Sequence, residues 1–109
     1  MVRLHREFEW DASRAEANFR KHGVSFDLAT EVLLDPEGDR FHLDESGPGH
    51  AEGEDRYITT ASHPDERRLV LVISWTDRSV EDLQVTRIIS ARRATRAEIR
   101  SYHGEHLGE

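Results

Sequence analysis

The stretch LQVTRIISARRATRAEIRSYH, residues 83–103, decides the fold because a strand pattern runs directly into a helix start. Its first nine residues, 83–91, are rich in β-branched side chains, which favour the pleated surface of a sheet. Thr95 then precedes RAEIRSYH and is followed three residues later by Glu98, the capping-box pattern of a helix N-terminus. The stretch therefore predicts a strand followed at once by a C-terminal helix.

Two further strands precede this one in the sequence. They are RYITTAS, residues 56–62, and RLVLVISWT, residues 68–76, and the short turns HPDE and DRSVED separate the three strands. Because short turns join antiparallel neighbours, the three strands predict a meander. The acidic, glycine-rich segment 35–55 contains only RFHL, residues 40–43, as a further candidate edge strand.

The N-terminal third has the pattern of two consecutive helices. Asp11 is placed to cap the first helix, and Gly23 suits the left-handed conformation that ends a helix. Ser25 is placed to cap the second helix, whose predicted buried stripe is Leu28, Ala29, Val32 and Leu33. The predicted fold is therefore α+β, in one domain over residues 1–109: two N-terminal helices, an antiparallel meander of three or four strands, and a C-terminal helix.

The composition bears on the compartment in which we expect the protein and on membrane or signal segments. None of the 109 residues is cysteine, which suits a reducing compartment, and we expect a cytoplasmic protein. The longest apolar run, residues 69–73, is far too short to cross a membrane. The N-terminus MVRLHREFEWD is too polar for a signal peptide.

The charge is unevenly distributed along the chain. The net charge is −7, yet residues 86–103 contain five of the 15 basic residues and only one acid. Binding to nucleic acid depends on local Lys and Arg side chains more than on net charge. The last strand and helix therefore predict one basic face, where RNA or an acidic partner segment can bind.

Three segments together carry a family resemblance. They are FEWDASRAEANFRKHGVSFDLATEVLLDP (8–36), GEDRY (53–57) and RIISARRATRAEIRSY (87–102). In this order they closely resemble the BrnT family, the ribonuclease toxins of type II toxin–antitoxin pairs, which are related in fold to RelE-like toxins. The sequence departs from the family pattern in a longer, more acidic loop at 39–52 and in a longer turn before the last strand.

The resemblance implies an RNA-cleaving toxin that stops translation. It also implies an antitoxin of the BrnA type with a ribbon-helix-helix domain, and operator DNA bound through that antitoxin. Two other functions fit the residues: a non-catalytic module that binds such a partner and modulates repression, and a metal-dependent hydrolase that uses the seven histidines. Because the histidines show no recognised ligand spacing, we expect no metal and no cofactor.

Metal-independent RNA cleavage needs a base, cations around the phosphate, and an acid for the leaving oxygen. Arg87 is the first candidate cation, since it shares a predicted strand face with Val85 and Ile89. An ion pair with an acid such as Glu54 or Asp11 is the structural alternative for Arg87.

The sequence offers three further pairs of candidate residues. Glu54 and Arg56 are two apart at the start of a strand, so a carboxylate base would stand beside a phosphate-binding arginine. A surface salt bridge is the alternative. Arg78 follows Trp75 by three residues and could hold a phosphate while the indole stacks on a base, although core packing competes for Trp75.

Lys21 and His22 belong to the KHG signature of the family. His22 can act as base or acid near neutral pH, or it can bond the last carbonyl groups of its helix. Arg92, Arg96 and Arg100 are spaced by four and predict a helical ridge that binds the RNA backbone or an acidic antitoxin segment. A solvated helix face is the alternative for this ridge.

Overall fold

The computed structural model describes residues 5–34, 41–44 and 56–106. Three helices and one sheet make up these parts of the chain, which confirms the α+β class, the two N-terminal helices and the C-terminal helix. The elements, in chain order, are β1 (His5–Glu9), α1 (Ala12–His22), α2 (Phe26–Leu33), β2 (Phe41–Asp44), β3 (Arg56–Ser62), β4 (Val70–Asp77), β5 (Leu83–Arg93) and α3 (Arg96–His106).

The sheet has the strand order β1-β5-β4-β3-β2 and is mixed. Strands β2 to β5 form the expected antiparallel meander, and β2 lies where RFHL indicated an edge strand. The expectation of a purely antiparallel sheet of three or four strands is wrong, because β1 pairs in parallel with β5 as a fifth strand. The sequence HREFE contains one apolar residue among four polar ones, so the local pattern does not mark a strand.

Both N-terminal helices begin at the residues that the sequence indicated, and α1 also ends where Gly23 indicated. The Asp11 carboxylate accepts hydrogen bonds from the backbone N–H groups of Ser13 and Arg14, at 2.8 and 3.1 Å. Gly23 has φ 71° and ends α1, and the Ser25 hydroxyl caps α2. These caps satisfy N–H groups that a helix start otherwise leaves without a partner.

The core lies between the two N-terminal helices and one face of the sheet. Ala29, Val32 and Leu33 of the predicted α2 stripe are fully buried, and Leu28 packs against them from a half-buried position. The sheet contributes Leu71 and Ile73 from β4, with Ile88 and Ala91 from β5.

A β-bulge sets which side chains of β5 face this core. Ser74 pairs with Ser90, but Trp75 pairs with Ile88, so Ile89 is an extra residue in β5. Ile88 and Ala91 are three apart and both reach the core, which regular alternation would not allow. Before the bulge, Arg87 therefore points to the face opposite the helices.

A buried amide holds α1 on the sheet. Asn18 is 8% exposed, and its Nδ2 donates to the carbonyl oxygens of Val24 and Ala91, at 3.0 and 2.8 Å. Its Oδ1 accepts from the Ala91 N–H, at 3.1 Å. Strand β1 stops pairing with β5 at Arg87, so Asn18 supplies the partner that Ala91 lacks on that edge.

We expect Asn18→Ala to lower the free energy of unfolding by about 2–4 kcal/mol, because two buried backbone groups of Ala91 lose their partner. Urea unfolding followed by tryptophan fluorescence measures this change. Lys21→Ala, an exposed change on the same helix, is the control and should stay within about 0.5 kcal/mol of the unmodified protein. If Asn18→Ala lowered the free energy of unfolding no more than the control, Asn18 would not be the residue that satisfies Ala91.

Candidate active site

Four polar residues form a row across the sheet. Arg56 of β3 pairs with Thr76 of β4, Thr76 pairs with Arg87 of β5, and Arg87 pairs with Glu9 of β1. Residues directly opposite each other on paired strands project to the same face. The row therefore lies on the face opposite the helical core, since Trp75, the neighbour of Thr76 in β4, packs against that core.

An open cavity of about 210 Å³ lies over this row. It takes its walls from the row, from the start of α1 and from the strand end before the last turn. Four arginines and one acid surround the cavity, so its formal charge is strongly positive. The lining residues are Asp11, Arg14, Arg56, Thr76, Arg78, Arg87, Ile88 and Ile89.

Arg87 is positioned in the cavity wall by β1. Its Nη1 donates to Glu9 Oε2 at 2.9 Å, and the two side chains are 37% and 43% exposed. The acid in this ion pair is Glu9, and the predicted alternative Asp11 caps α1 instead. An ion pair this exposed adds little stability. Since Glu9 takes one Arg87 nitrogen in the described structure, the rest of the guanidinium can donate into the cavity.

Arg56 and Arg78 have guanidinium groups without a hydrogen bond or ion pair to any described residue. The Arg56 Nε is buried and unpaired. The backbone of Arg78 is fixed, because its N–H donates to the Val85 carbonyl at 2.9 Å. Arg56, Arg78 and Arg87 therefore converge on one open cavity, and the first two are available to a ligand.

The start of α1 adds one cation and one acid, and the sequence did not indicate Arg14 as a site residue. The backbone N–H groups of Arg14 and Ser13 lower the pKa of the Asp11 carboxyl, with smaller contributions from the charges of Arg14 and Arg87. Asp11 therefore stays ionised near neutral pH. Arg14 follows the cap by three residues, but only the pairing of β1 with β5 brings this helix turn to the cavity.

Several predicted site residues lie away from the cavity. Trp75 is on the opposite face, where its Nε1 donates to Thr59 Oγ1 at 2.9 Å and its ring stacks on Tyr57 with centroids 4.6 Å apart. Lys21 and His22 are at the far end of α1, about 14–15 Å along the helix axis from its start at the cavity. Glu54 lies outside the described residues.

The predicted ridge of Arg92, Arg96 and Arg100 is wrong for Arg92. Strand β5 continues to Arg93, so Arg92 is a strand residue, and its two Nη atoms bond both Glu98 oxygens at 2.8 and 2.9 Å. Arg96 and Arg100 lie on α3, four residues apart and exposed. The capping box is confirmed, since the Thr95 hydroxyl and the Glu98 carboxylate each accept the other residue's backbone N–H.

The buried histidine of the described chain has no nitrogen left for a metal. His63 Nδ1 accepts the Asp65 N–H at 3.0 Å, so its Nε2 carries the proton that it donates to Glu31 Oε1 at 2.7 Å. Among residues 7–34 and 56–104, whose side chains are described, no cluster of three or more side chains could share a metal ion. Within the same residues, no helix has the length and apolar character needed to span a bilayer.

This α+β domain presents guanidinium groups around an open cavity, which is the chemistry of a protein that binds phosphodiester anions. Residues 10–98 match the family described as "Ribonuclease toxin, BrnT, of type II toxin-antitoxin system". The chain belongs to this family, and membership gives it an RNA target and an antitoxin partner. No curated protein matches the chain. The relation of the fold to RelE-like toxins stays a prediction.

The Arg92–Glu98 pair predicts a pH-dependent stability. Its hydrogen bonds, first from Arg92 and then from the Thr95 N–H, lower the pKa of Glu98 from 4.5 to about 2. A carboxyl group whose pKa is lower in the folded protein stabilises the fold at pH values above its pKa in the unfolded chain, here 4.5. This stabilisation is lost as the pH falls toward about 2.

We therefore expect the difference in unfolding free energy between the unmodified protein and Glu98→Gln to shrink between about pH 6 and about pH 2. Urea unfolding across this range measures the difference. The control is Glu81→Gln, an exposed residue of the last turn. A difference for Glu98→Gln that does not change with pH would contradict the pKa assignment.

Proposed function

We propose that the chain is a metal-independent endoribonuclease that cleaves RNA to inhibit translation and is neutralised by a BrnA-like antitoxin. The observation that carries this proposal is the open cavity where Arg56, Arg78 and Arg87 meet. If these residues were paired internally, a partner-binding module would be the better interpretation. Two of the three have no described partner, which favours the enzyme.

The reaction needs no group beyond side chains and RNA. A base removes the proton of a 2′-hydroxyl, whose oxygen attacks the adjacent phosphorus while the bond to the 5′-oxygen breaks. The products are a 2′,3′-cyclic phosphate and a 5′-hydroxyl, once an acid protonates the leaving oxygen. Negative charge develops on the phosphoryl oxygens between these steps, and preorganised cations lower the barrier there.

We assign the cationic role to Arg56, Arg78 and Arg87. Arginine suits it because its planar fork can bond two phosphate oxygens and keeps its charge near neutral pH. Glu9 orients Arg87 from the neighbouring strand, which fixes one of the three before RNA binds. The register places Arg56 and Arg87 on the strands on either side of Thr76, and all three residues line the cavity.

Glu54 remains our proposed base, because it precedes Arg56 by two residues in the sequence. Asp11 also lines the cavity, but its Oδ1 caps α1 and its lowered pKa makes it a poor proton acceptor. We leave His22, Lys21 and Trp75 out of the proposed site, since the first two lie at the far end of α1 and Trp75 lies on the other face.

The cationic surface extends from the cavity toward α3. Arg92 pairs in register with Val72, which faces the same side as Thr76 and lies four residues, or roughly 13 Å, along β4. Because Glu98 bonds Arg92, α3 begins on this side of the sheet. We assign Arg96 and Arg100, which are exposed on α3, to binding the RNA backbone beyond the cut site.

We propose that the antitoxin carries a ribbon-helix-helix domain and that operator DNA is bound through it. The net charge of −7 suits this division, because the toxin by itself would be repelled from DNA outside its basic surface. A protein that stops translation acts in the cytoplasm, and the absence of cysteine from the chain suits that compartment.

Purified protein should cleave a structured RNA in EDTA, and Arg87→Ala should lower the rate by about 100- to 1,000-fold, as expected for losing one preorganised donor. Gel analysis of the fragments measures cleavage, and circular dichroism checks that the variant is folded. Arg68→Ala, which removes an exposed arginine from the β3–β4 turn, is the matched control and should cleave normally.

Two results would contradict the proposal. Cleavage that EDTA abolishes would indicate a metal-dependent hydrolase. No cleavage, with or without metal ions or ribosomes, would favour the non-catalytic partner-binding module.

Removing both Arg96 and Arg100 by substitution with alanine should raise KM for RNA and leave kcat nearly unchanged, because exposed charges act on binding. It should also make the slope of log K for RNA binding against log salt concentration less steep, by the amount expected for losing about one to two phosphate contacts. The comparison variant is Arg20→Ala with Lys21→Ala, which removes the same charge from α1. A larger effect on KM in that variant would place the RNA path along α1 instead.

A further inference from the structure

Two buried polar atoms in the described chain lack a hydrogen-bond partner, and both belong to the cavity wall. They are the Thr76 Oγ1 and the Arg56 Nε. Thr76 is only 1% exposed, so water does not replace the missing partner from the surface. A buried polar group without a partner destabilises a fold and therefore points to a role beyond packing.

The two atoms come from residues that face each other across the sheet. Arg56 and Thr76 are directly paired between β3 and β4, and Thr76 is paired with Arg87 on its other side. A hydroxyl therefore lies at the floor of the cavity between two arginines. Elsewhere in the same sheet, buried Thr59 accepts a hydrogen bond from Trp75, so the fold satisfies a comparable threonine on the core face.

We propose that Thr76 is a substrate-binding residue that donates its hydroxyl hydrogen to an oxygen of an RNA phosphate, while the Arg56 Nε–H donates to a second oxygen. This inference rests on the proposed ribonuclease function, and it adds a neutral donor to the arginines of that site. Arg56 and Arg78 have no described partner, so their side chains can move apart when an anion enters.

The chemistry of the two atoms selects the ligand. The Arg56 Nε only donates, and a hydroxyl between guanidinium groups finds no acceptor among the cavity's cations. A ligand that satisfies both must present at least two acceptor oxygens and tolerate strong positive charge. A phosphodiester has two non-bridging oxygens that share one negative charge, which meets both conditions.

Thr76→Val separates binding from packing because it keeps the shape and removes the hydroxyl. Since that hydroxyl has no partner in the free protein, we expect Thr76→Val to unfold at the same or a higher temperature. We expect its kcat/KM for RNA in EDTA to fall by about 10- to 150-fold, the effect of losing one hydrogen bond to a charged group. Thr76→Ser should restore most of the activity.

Thr86→Val is the matched control. Thr86 is buried to the same 1%, but it lies next to Arg87 in β5 and faces the core side of the sheet. We expect this variant to cleave RNA like the unmodified protein. A variant Thr76→Val that cleaves equally well, or that loses activity only in proportion to lost folded protein, would overturn the inference.

A second measurement keeps the inference testable if the protein does not cleave RNA. Inorganic phosphate should raise the unfolding temperature of the unmodified protein and of Thr86→Val, because a ligand stabilises the state that binds it. Thr76→Val should lose this shift. Absence of cleavage together with a shift that depends on Thr76 would end the proposed enzymatic function but support the anion site. No shift and no cleavage in the unmodified protein would overturn both.

Discussion

The amide of Asn18 on the free edge of β5 is the contact on which the site depends. It gives Ala91 the two hydrogen bonds that a neighbouring strand would otherwise supply, and it does so beneath a helix. Without this partner, packing α1 against β5 would bury two unpaired backbone groups of Ala91, which would lower the free energy of unfolding. Because the helix is fixed there, its first turn projects Asp11 and Arg14 over the sheet row, which closes the cavity on one side.

Pairing, more than number, decides which arginines can act on a ligand. Arg92 is held by both oxygens of Glu98, and that interaction joins α3 to the sheet. Arg87 gives one nitrogen to Glu9 and keeps the others, so it is oriented without being neutralised. Arg56 and Arg78 are bound by no described acid. Arginines with the same chemistry therefore differ in what they can do: Arg92 holds α3 to the sheet, whereas Arg56, Arg78 and Arg87 can still donate into the cavity.

The sequence predicted what short-range chemistry determines. The caps at Asp11, Ser25 and Thr95 depend on residues within one helical turn, and all three are present. Strand β1 and the bulge at Ile89 depend on distant partners, so no local pattern indicates them. The same limit applies to the candidate site. Arg56, Arg78 and Arg87 were predicted because arginine suits a phosphate. Arg14 and Thr76 line the cavity only because helix packing and strand pairing bring them there, which no local pattern indicates.

The unsatisfied buried polar groups of the described residues lie together at one place in the fold. Asn18, Thr59 and His63 are buried, and each has a partner in the described structure. The two exceptions are adjacent and line the arginine cavity, where like charges already oppose close approach. Among the described residues, these two atoms are the buried side-chain nitrogen and oxygen atoms without a hydrogen-bond partner, and both lie where we propose that a phosphate binds. A phosphate bound there would accept hydrogen bonds from both atoms and offset the repulsion among the guanidinium groups, so one ligand of the class we propose would remove both destabilising features.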